Sequence, residues 1–262
     1  MPERISSSRA IDLNSDLGEG FGPFHAGVDM DASLFPLISS ANVACGFHAG
    51  DPVTIARTVS LARTHNVAVG AHPGFRDLVG FGRRVIAASP AEIEADVLYQ
   101  LGAVAAFCRA EGAPLRHVKA HGALYNLAAN NRLVADAIAR AVVRFDPALI
   151  FFALSGSELV MAGEAAGLRV CREAFADRAY NVDGSLVART ILGAVLTDPQ
   201  VVAERMVRLV ETGSIGTIDG GTLHLAADTI CIHSDTPTAV SIAQTIRAQF
   251  DRAGIIIRPF DD

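Results

Sequence analysis

Seven short apolar runs, each ending in polar or charged residues, restrict this chain to few folds. They are AIDLN (10–14), SANVACG (40–46), VAVGAH (67–72), LRHVKAH (115–121), ALIFFAL (148–154), LRVCREAF (168–175) and TICIH (229–233). Runs this short and continuous suit strands buried on both faces, as in a parallel sheet. Segments of helical spacing separate most of them. Asp51-Pro52, Ser89-Pro90, Asp198-Pro199 and Thr236-Pro237 each pair an N-cap residue with proline at the first helical position, and Ser89 with Glu92 fits a capping box. Gly112, Gly167, Gly213 and Gly254 suit helix ends. The stretch GSIGTIDGGTLHLAAD (213–228) reads as a hairpin or an irregular strand pair. No repeat or linker divides the chain, so one domain over 1–262 is expected, with residues 1–9 flexible.

Alternating strands and helices imply a mainly parallel sheet, open or closed. The strand ends decide between the two. Polar groups follow every run: Asn14, Asp16 and Glu19; His48 and Asp51; His72; Lys119 and His121; Ser155; Glu173, Asp177 and Arg178; His233 and Asp235. An open sheet would concentrate such groups at one switch point, whereas a barrel gathers all its strand tips on one face. A seven-stranded (β/α) barrel is therefore expected. Gly46 and Gly50, flanking the histidine of ACGFHAGD, would let the backbone turn tightly towards a ligand.

Composition excludes several functions. A net charge of −6 without a basic tract argues against nucleic acid. No apolar run is long enough for a membrane helix, and the first ten residues lack a signal-peptide core, so a cytoplasmic protein is expected. Four scattered cysteines form no CxxC pair. Neither a GxxxxGK[ST] phosphate loop nor GxGxxG at a strand-to-helix turn is present. Of 22 basic side chains 21 are arginine; the single lysine, Lys119, stands at a strand tip. A compact ammonium there is not replaceable by a guanidinium fork.

Asp16 and Glu19, with Asp12 nearby, suit a divalent metal or a general base, or else cap the following turn. Arg83 and Arg84 suit a clamp for phosphate or carboxylate, or a solvated turn. Lys119 and His121, two apart, share one side of a strand. Arg172 and Arg178 could simply pair with Glu173 and Asp177, or Arg178 could hold a substrate carboxylate. His233, Ser234 and Asp235 precede a helix start at Thr236-Pro237, a candidate anion site. Cys45 is weighed as a nucleophile and set behind an inert core role. His25, His65, His117 and His224 lie outside the tips or lack polar company.

The strings DLNSDLGEG, SANVACGFHAGD, GAHPGF, GFGRR, VKAHGALYN, FADRAY, DGSLVAR and CIHSDTP resemble, in order and spacing, the LamB/YcsF family, from about Ile11 to Phe260. The resemblance implies a seven-stranded barrel of the glycoside hydrolase/deacetylase type. It also implies ATP-dependent opening of the 5-oxoproline lactam to L-glutamate, together with partner subunits B and C of a 5-oxoprolinase. On that reading Asp16, His72, Lys119, His121 and Glu173 are catalytic, and Asn14, Arg83, Arg84, Arg178, His233 and Asp235 bind substrate or phosphate. Asp16, Glu19, His48 and Asp51 would hold a divalent metal, Mg²⁺ being expected beside ATP. Arg76, Ala120, Ala188 and Ser234 depart from the family's usual residues beside these positions. The rival expectations are a stand-alone metal-dependent deacetylase and a non-catalytic, lactam-binding component.

Overall fold

The computed structural model describes residues 9–21 and 28–260. Seven parallel strands close into a barrel: β1 (Ala10–Leu17), β2 (Ser40–Ala44), β3 (Ala68–His72), β4 (Leu115–Lys119), β5 (Ile150–Leu154), β6 (Arg169–Phe175) and, after the antiparallel hairpin β7 (Ser214–Gly216) and β8 (Thr222–His224), β9 (Thr229–His233). Pairing of β1 with β9, from Asp12 opposite Thr229 to Asp16 opposite His233, completes the circle. A short β10 (Ile256–Ile257) adds to the lower half of β1. The expected closed seven-stranded barrel and the hairpin are both present.

Helices α1 (Val28–Leu34), α2 (Pro52–Thr64), α3 (Pro90–Glu111), α4 (Gly122–Ala129), α5 (Arg132–Phe145), α6 (Glu158–Ala165), α7 (Pro199–Thr212) and α8 (Ala239–Ala253) surround it. The capping box at Ser89 and Glu92 opens α3, and left-handed Gly112, Gly213 and Gly254 end α3, α7 and α8. Thr236 does not cap a helix. Its carbonyl closes a turn onto Ala239 N–H, and α8 starts after Thr238. That displaces the expected anion site from Thr236-Pro237.

Strand alternation sorts the barrel's two faces. Leu13, Val43, Val69, Ala71, Val118, Phe151, Ala174, Ile230 and Ile232 join the core shared with the helices. The alternate positions point inward. At the lower end these are Ile150, Phe152 and Cys171, sealed by Phe260. Above them the interior is polar: Asp12, Asn14, Asp16, Asn42, Lys119 and Glu173 are all buried. Three hydroxyls, on Ser39, Ser40 and Thr229, donate to the Asp12 carboxylate. Burial nevertheless outweighs them and raises its pKa to about 6. This interior also explains why β1 runs to Leu17, three residues beyond the apolar run. Asp16, two residues beyond that run, is a strand residue with its side chain inward, as is Asn14.

The flexibility expected of residues 1–8 and the position of His25 lie outside the described residues. Arg9, the last residue of the expected flexible segment, accepts a hydrogen bond from Ile256 N–H through its carbonyl. Among the described residues no helix is long and apolar enough to cross a membrane.

Candidate active site

The upper strand ends open into a cleft of about 500 Å³. Asp16, His72, His121, Tyr125, Phe175 and His233 form its floor, while Arg83, Arg178, Arg189 and the 185–190 loop line its walls.

Asp16 is the centre of the floor. Its Oδ1 accepts from Lys119 Nζ at 2.9 Å and Asn42 Nδ2 at 2.8 Å, and its Oδ2 lies 3.3 Å from His72 Nε2. Burial alone would raise the pKa of this carboxyl; His72 and Lys119 outweigh burial and hold it well below the usual range. Asp16 is thus a carboxylate at neutral pH, tied from below and open above.

Lys119 does not line the cleft. It sits beneath Asp16, 2% exposed, bonded also to Glu173 Oε1 at 2.8 Å, Asn14 Oδ1 at 3.2 Å and Cys231 Sγ at 3.0 Å. Burial opposes its charge, but Asp16 and Glu173 help hold its pKa well above that of a free lysine. Glu173 is lower still, receiving Tyr125 Oη–H at 2.6 Å and Asn14 Nδ2–H at 3.0 Å. Lys119, Glu173 and Asn14, expected in direct catalytic or binding roles, therefore lie beneath the floor and are not among the residues that line the cleft.

His233 is oriented by Asp177, whose carboxylate oxygens lie 2.9 and 3.0 Å from Nδ1, while the ring stacks on Phe175. Nε2 is left for the cleft. Asp235 pairs with Arg83 and, at 3.6 Å, with Arg189, so these two arginines stand together on the wall. Arg178 spends part of its guanidinium on the carbonyls of Val187 and Ala194; burial and the neighbouring Arg189 lower its pKa to about 10. Arg172 turns away to Glu164 and Asp228 and pairs with neither expected carboxylate.

Beside Asp16 lies a second group of side chains. His48, His72, His121 and Glu19 bring one ligand atom each within 4.8 Å of one another. His72 Nδ1 meets the Lys119 carbonyl at 2.8 Å, and His121 Nε2 meets the Phe81 carbonyl at 2.8 Å. Phe81 has φ 54°, an uncommon conformation for such a residue, and it is this backbone that presents its carbonyl to His121. Glycine is required next to it: at Gly82 a Cβ would lie 2.6 Å from the His48 Cβ and 2.7 Å from His121 Cδ2. Burial lowers the pKa of both His48 and His121 well below the ordinary range, and burial followed by Asp16 raises that of Glu19 to about 7.

Three expected residues stand elsewhere. Asp51 caps α2 by accepting Thr54 N–H at 2.8 Å and is not part of the histidine group. Arg84 pairs with Asp77 at the rim. Cys45 is buried, its thiol pushed up by burial and bonded to the Val43 carbonyl, so it is no nucleophile.

Sequence reasoning passed over Asn42, Tyr125 and the 185–190 wall. It also set aside His117, which is fully enclosed, bonded to Asn42 Oδ1 at 2.8 Å and stacked on Phe152. Bare Gly70 makes room for that ring, since a Cβ there would fall 2.1 Å from its Nε2. Among the departures from the family strings, Ala120 and Ala188 line the cleft. Ser234 has no positive φ and donates its hydroxyl to the Asp16 carbonyl at 2.6 Å, so no glycine is needed there.

The chain is 53% identical over 249 residues to the A subunit of 5-oxoprolinase from Symbiobacterium thermophilum, covering 95% of each chain. It is 51% identical over 250 residues to the corresponding protein of Thermus thermophilus, covering 95% of this chain and 99% of the relative. A crystal structure of the lactam utilization protein from Thermus thermophilus superposes with a TM-score of 0.90 at 50% identity, over 96% of this chain and all of that one. The profile of the LamB/YcsF family matches residues 11–262, and the chain belongs to that family.

Proposed function

We propose that this chain is the A subunit of a cytoplasmic, ATP-dependent 5-oxoprolinase. With partner subunits B and C it opens the 5-oxoproline lactam with water to L-glutamate, while ATP becomes ADP and phosphate. The observation that carries this reading is the Asp16 carboxylate, fixed by Lys119 and His72 at the floor of a small polar cleft walled by arginines. The relatives' names, which speak of 5-oxoprolinase and of lactam utilization, supply the substrate class.

A five-membered lactam is a stable amide, so its carbonyl oxygen gains from phosphorylation before water attacks. The developing charge calls for positioned cations and little covalent protein chemistry. In this reading Arg83, Arg178 and Arg189 hold the substrate carboxylate and the phosphoryl oxygens. Asp16 takes a proton from the attacking water. His233, oriented by Asp177, returns one to the departing ring nitrogen, which leaves an acyl phosphate on the opened chain. A second water then releases phosphate and L-glutamate.

The test is glutamate release from 5-oxoproline by this chain, alone and with subunits B and C, with and without ATP. Release is expected only with ATP and all three subunits. The histidine group beside Asp16 favours a second reading, hydrolysis without ATP by this chain alone; release under that condition would replace the first.

A further inference from the structure

We propose that Glu19, His48, His72 and His121 form a site for one first-row transition-metal ion, Zn²⁺ being the best suited. This goes beyond the lactam reading and does not depend on it.

Two backbone carbonyls fix where the imidazole protons are. His72 Nδ1 and His121 Nε2 each face a backbone carbonyl at 2.8 Å, and a carbonyl can only accept. Each neutral ring therefore carries its hydrogen on that side. The opposite nitrogens, His72 Nε2 and His121 Nδ1, lie 3.0 Å apart with a lone pair on each. Glu19 Oε1, another acceptor, lies 3.4 Å from His121 Nδ1 and 3.4 Å from His48 Nε2. Asp16 Oδ2, 3.3 Å from His72 Nε2, is a further acceptor at the same point. Acceptors brought this close in a buried site require a positive charge among them, a proton on His72 or a bound cation, and either one also holds Asp16 ionised.

A proton on His72 would satisfy its contact with His121, yet it would leave the rest unanswered. Glu19 Oε1 and both nitrogens of His48 are buried without any hydrogen-bond partner, and a buried polar group left unpaired is destabilising. One ion answers Glu19 Oε1, one nitrogen of His48 and the His72–His121 contact together, and leaves only the second His48 nitrogen without a partner. Bonds of about 2.0–2.1 Å in a tetrahedron place ligand atoms about 3.3 Å apart. The His72–His121, Glu19–His121 and Glu19–His48 pairs stand at 3.0, 3.4 and 3.4 Å, and all the ligand atoms lie within 4.8 Å of one another. The carbonyls of Lys119 and Phe81 then act as the outer partners that fix ligand tautomers at metal sites.

Three imidazoles and one carboxylate suit Zn²⁺ or a similar ion and not Mg²⁺, which prefers oxygen. The site thus differs from the oxygen-rich set expected from the sequence: Asp51 is absent, and Asp16 stands beside the site. His48 lies flat on His121, ring centroids 3.7 Å apart and planes at 4°. Its in-plane lone pair meets the ion after the ring turns, and no hydrogen bond resists that turn. The neighbouring trio of Asp16, Cys231 and His233 also clusters ligand atoms. There the Lys119 ammonium already contacts both Asp16 and Cys231, so no ion is called for.

The test is elemental analysis of the full chain purified without chelators, followed by chelation and titration with Co²⁺. About one equivalent of metal per chain and a visible Co²⁺ absorption band are expected. Loss of an outer partner typically costs about 10–100-fold in affinity, so His121→Ala and Glu19→Gln should each weaken Co²⁺ binding at least about 100-fold. Arg84→Ala, at the rim, should bind Co²⁺ as the wild type does. If His121→Ala does not fold, His48→Asn replaces it, since that ring has no hydrogen bond to lose. Wild-type chain that neither retains metal nor develops the band, or variants that bind Co²⁺ unchanged, would overturn the site and leave a shared proton in its place. Glutamate release is a separate readout, so its failure leaves the titration result standing.

Discussion

Lys119 Nζ lies 2.8 Å from Glu173 Oε1 inside the barrel, and neither side chain is more than 2% exposed. The same ammonium serves Asp16, so one cation offsets two carboxylates. Breaking such a pair by deleting one partner leaves an uncompensated buried charge, at about 3–5 kcal/mol. Lys119→Met should lose that much stability in urea unfolding. Adding Glu173→Gln to it should recover part of the loss. A Lys119→Met loss under about 1 kcal/mol would show that the pair does not hold the barrel.

Asp177 touches no part of the cleft itself and acts through His233. Asp177→Asn keeps the side chain's shape but alters the tautomer and charge it imposes on the ring. In the assembled complex kcat/KM should fall on the order of 10²-fold, with an altered pH–rate profile and little change in melting temperature. An unchanged pH profile would remove His233 from proton transfer.

Asp12 makes stability depend on pH in a direction unusual for a carboxylate. Its folded pKa, about 6, stands above the ordinary 3.8. Between these values the native state binds more protons than the unfolded chain, so this group's contribution to stability falls as pH rises. The full difference is about 3 kcal/mol at 1.36 kcal/mol per unit. Relative to wild type, Asp12→Asn should therefore become more stable by up to that amount as pH goes from about 4 to above 6. A difference between the two proteins that stays flat across this range would show that Asp12 is ionised throughout.

Gly82 and Gly102 should respond oppositely to the same substitution. Gly82→Ala drives a methyl into His48 and His121 at φ 62° and should cost about 1–3 kcal/mol together with activity. Gly102, within α3, has nothing within 4 Å of a built Cβ, so Gly102→Ala should stabilise by about 0.5–1 kcal/mol. Thermal melts of the two variants check this.

The barrel was legible in the sequence because its strands bury their outer faces in apolar runs and end in chemistry. The polar interior hid more. The apolar run stops at Asn14, so the upper half of β1 looked like a loop although Asp16 is still paired with β9. His117 seemed to lack polar company because its partner, Asn42, is 75 residues away, and Gly70, which makes room for the ring, is 47 residues away. Asp51-Pro52 announced a helix start, which is the role the aspartate plays; its proximity to His48 in sequence suggested a ligand that the fold directs elsewhere. Lys119 and His121 were read as sharing one strand face. In the structure β4 ends at Lys119, and His121 occupies the N-cap position of α4, so one side chain goes beneath the floor and the other forms part of it. Strand ends locate chemistry along the chain, but depth within a barrel depends on register with distant neighbours.

The ionic interior of the barrel also bears on how this protein can change over evolutionary time. Asn14, Asp16, Asn42, Lys119, Glu173 and Tyr125 form one hydrogen-bonded chain. Neighbours in such a network have non-additive substitution costs. A replacement that is tolerable in one background is therefore damaging in another, and single steps away from the set are blocked. The interior can be exchanged only through concerted changes, whereas the cleft wall at Ala188 is able to drift one residue at a time. New substrates for this barrel are to be sought through variation at the wall, above a floor that chemistry holds constant.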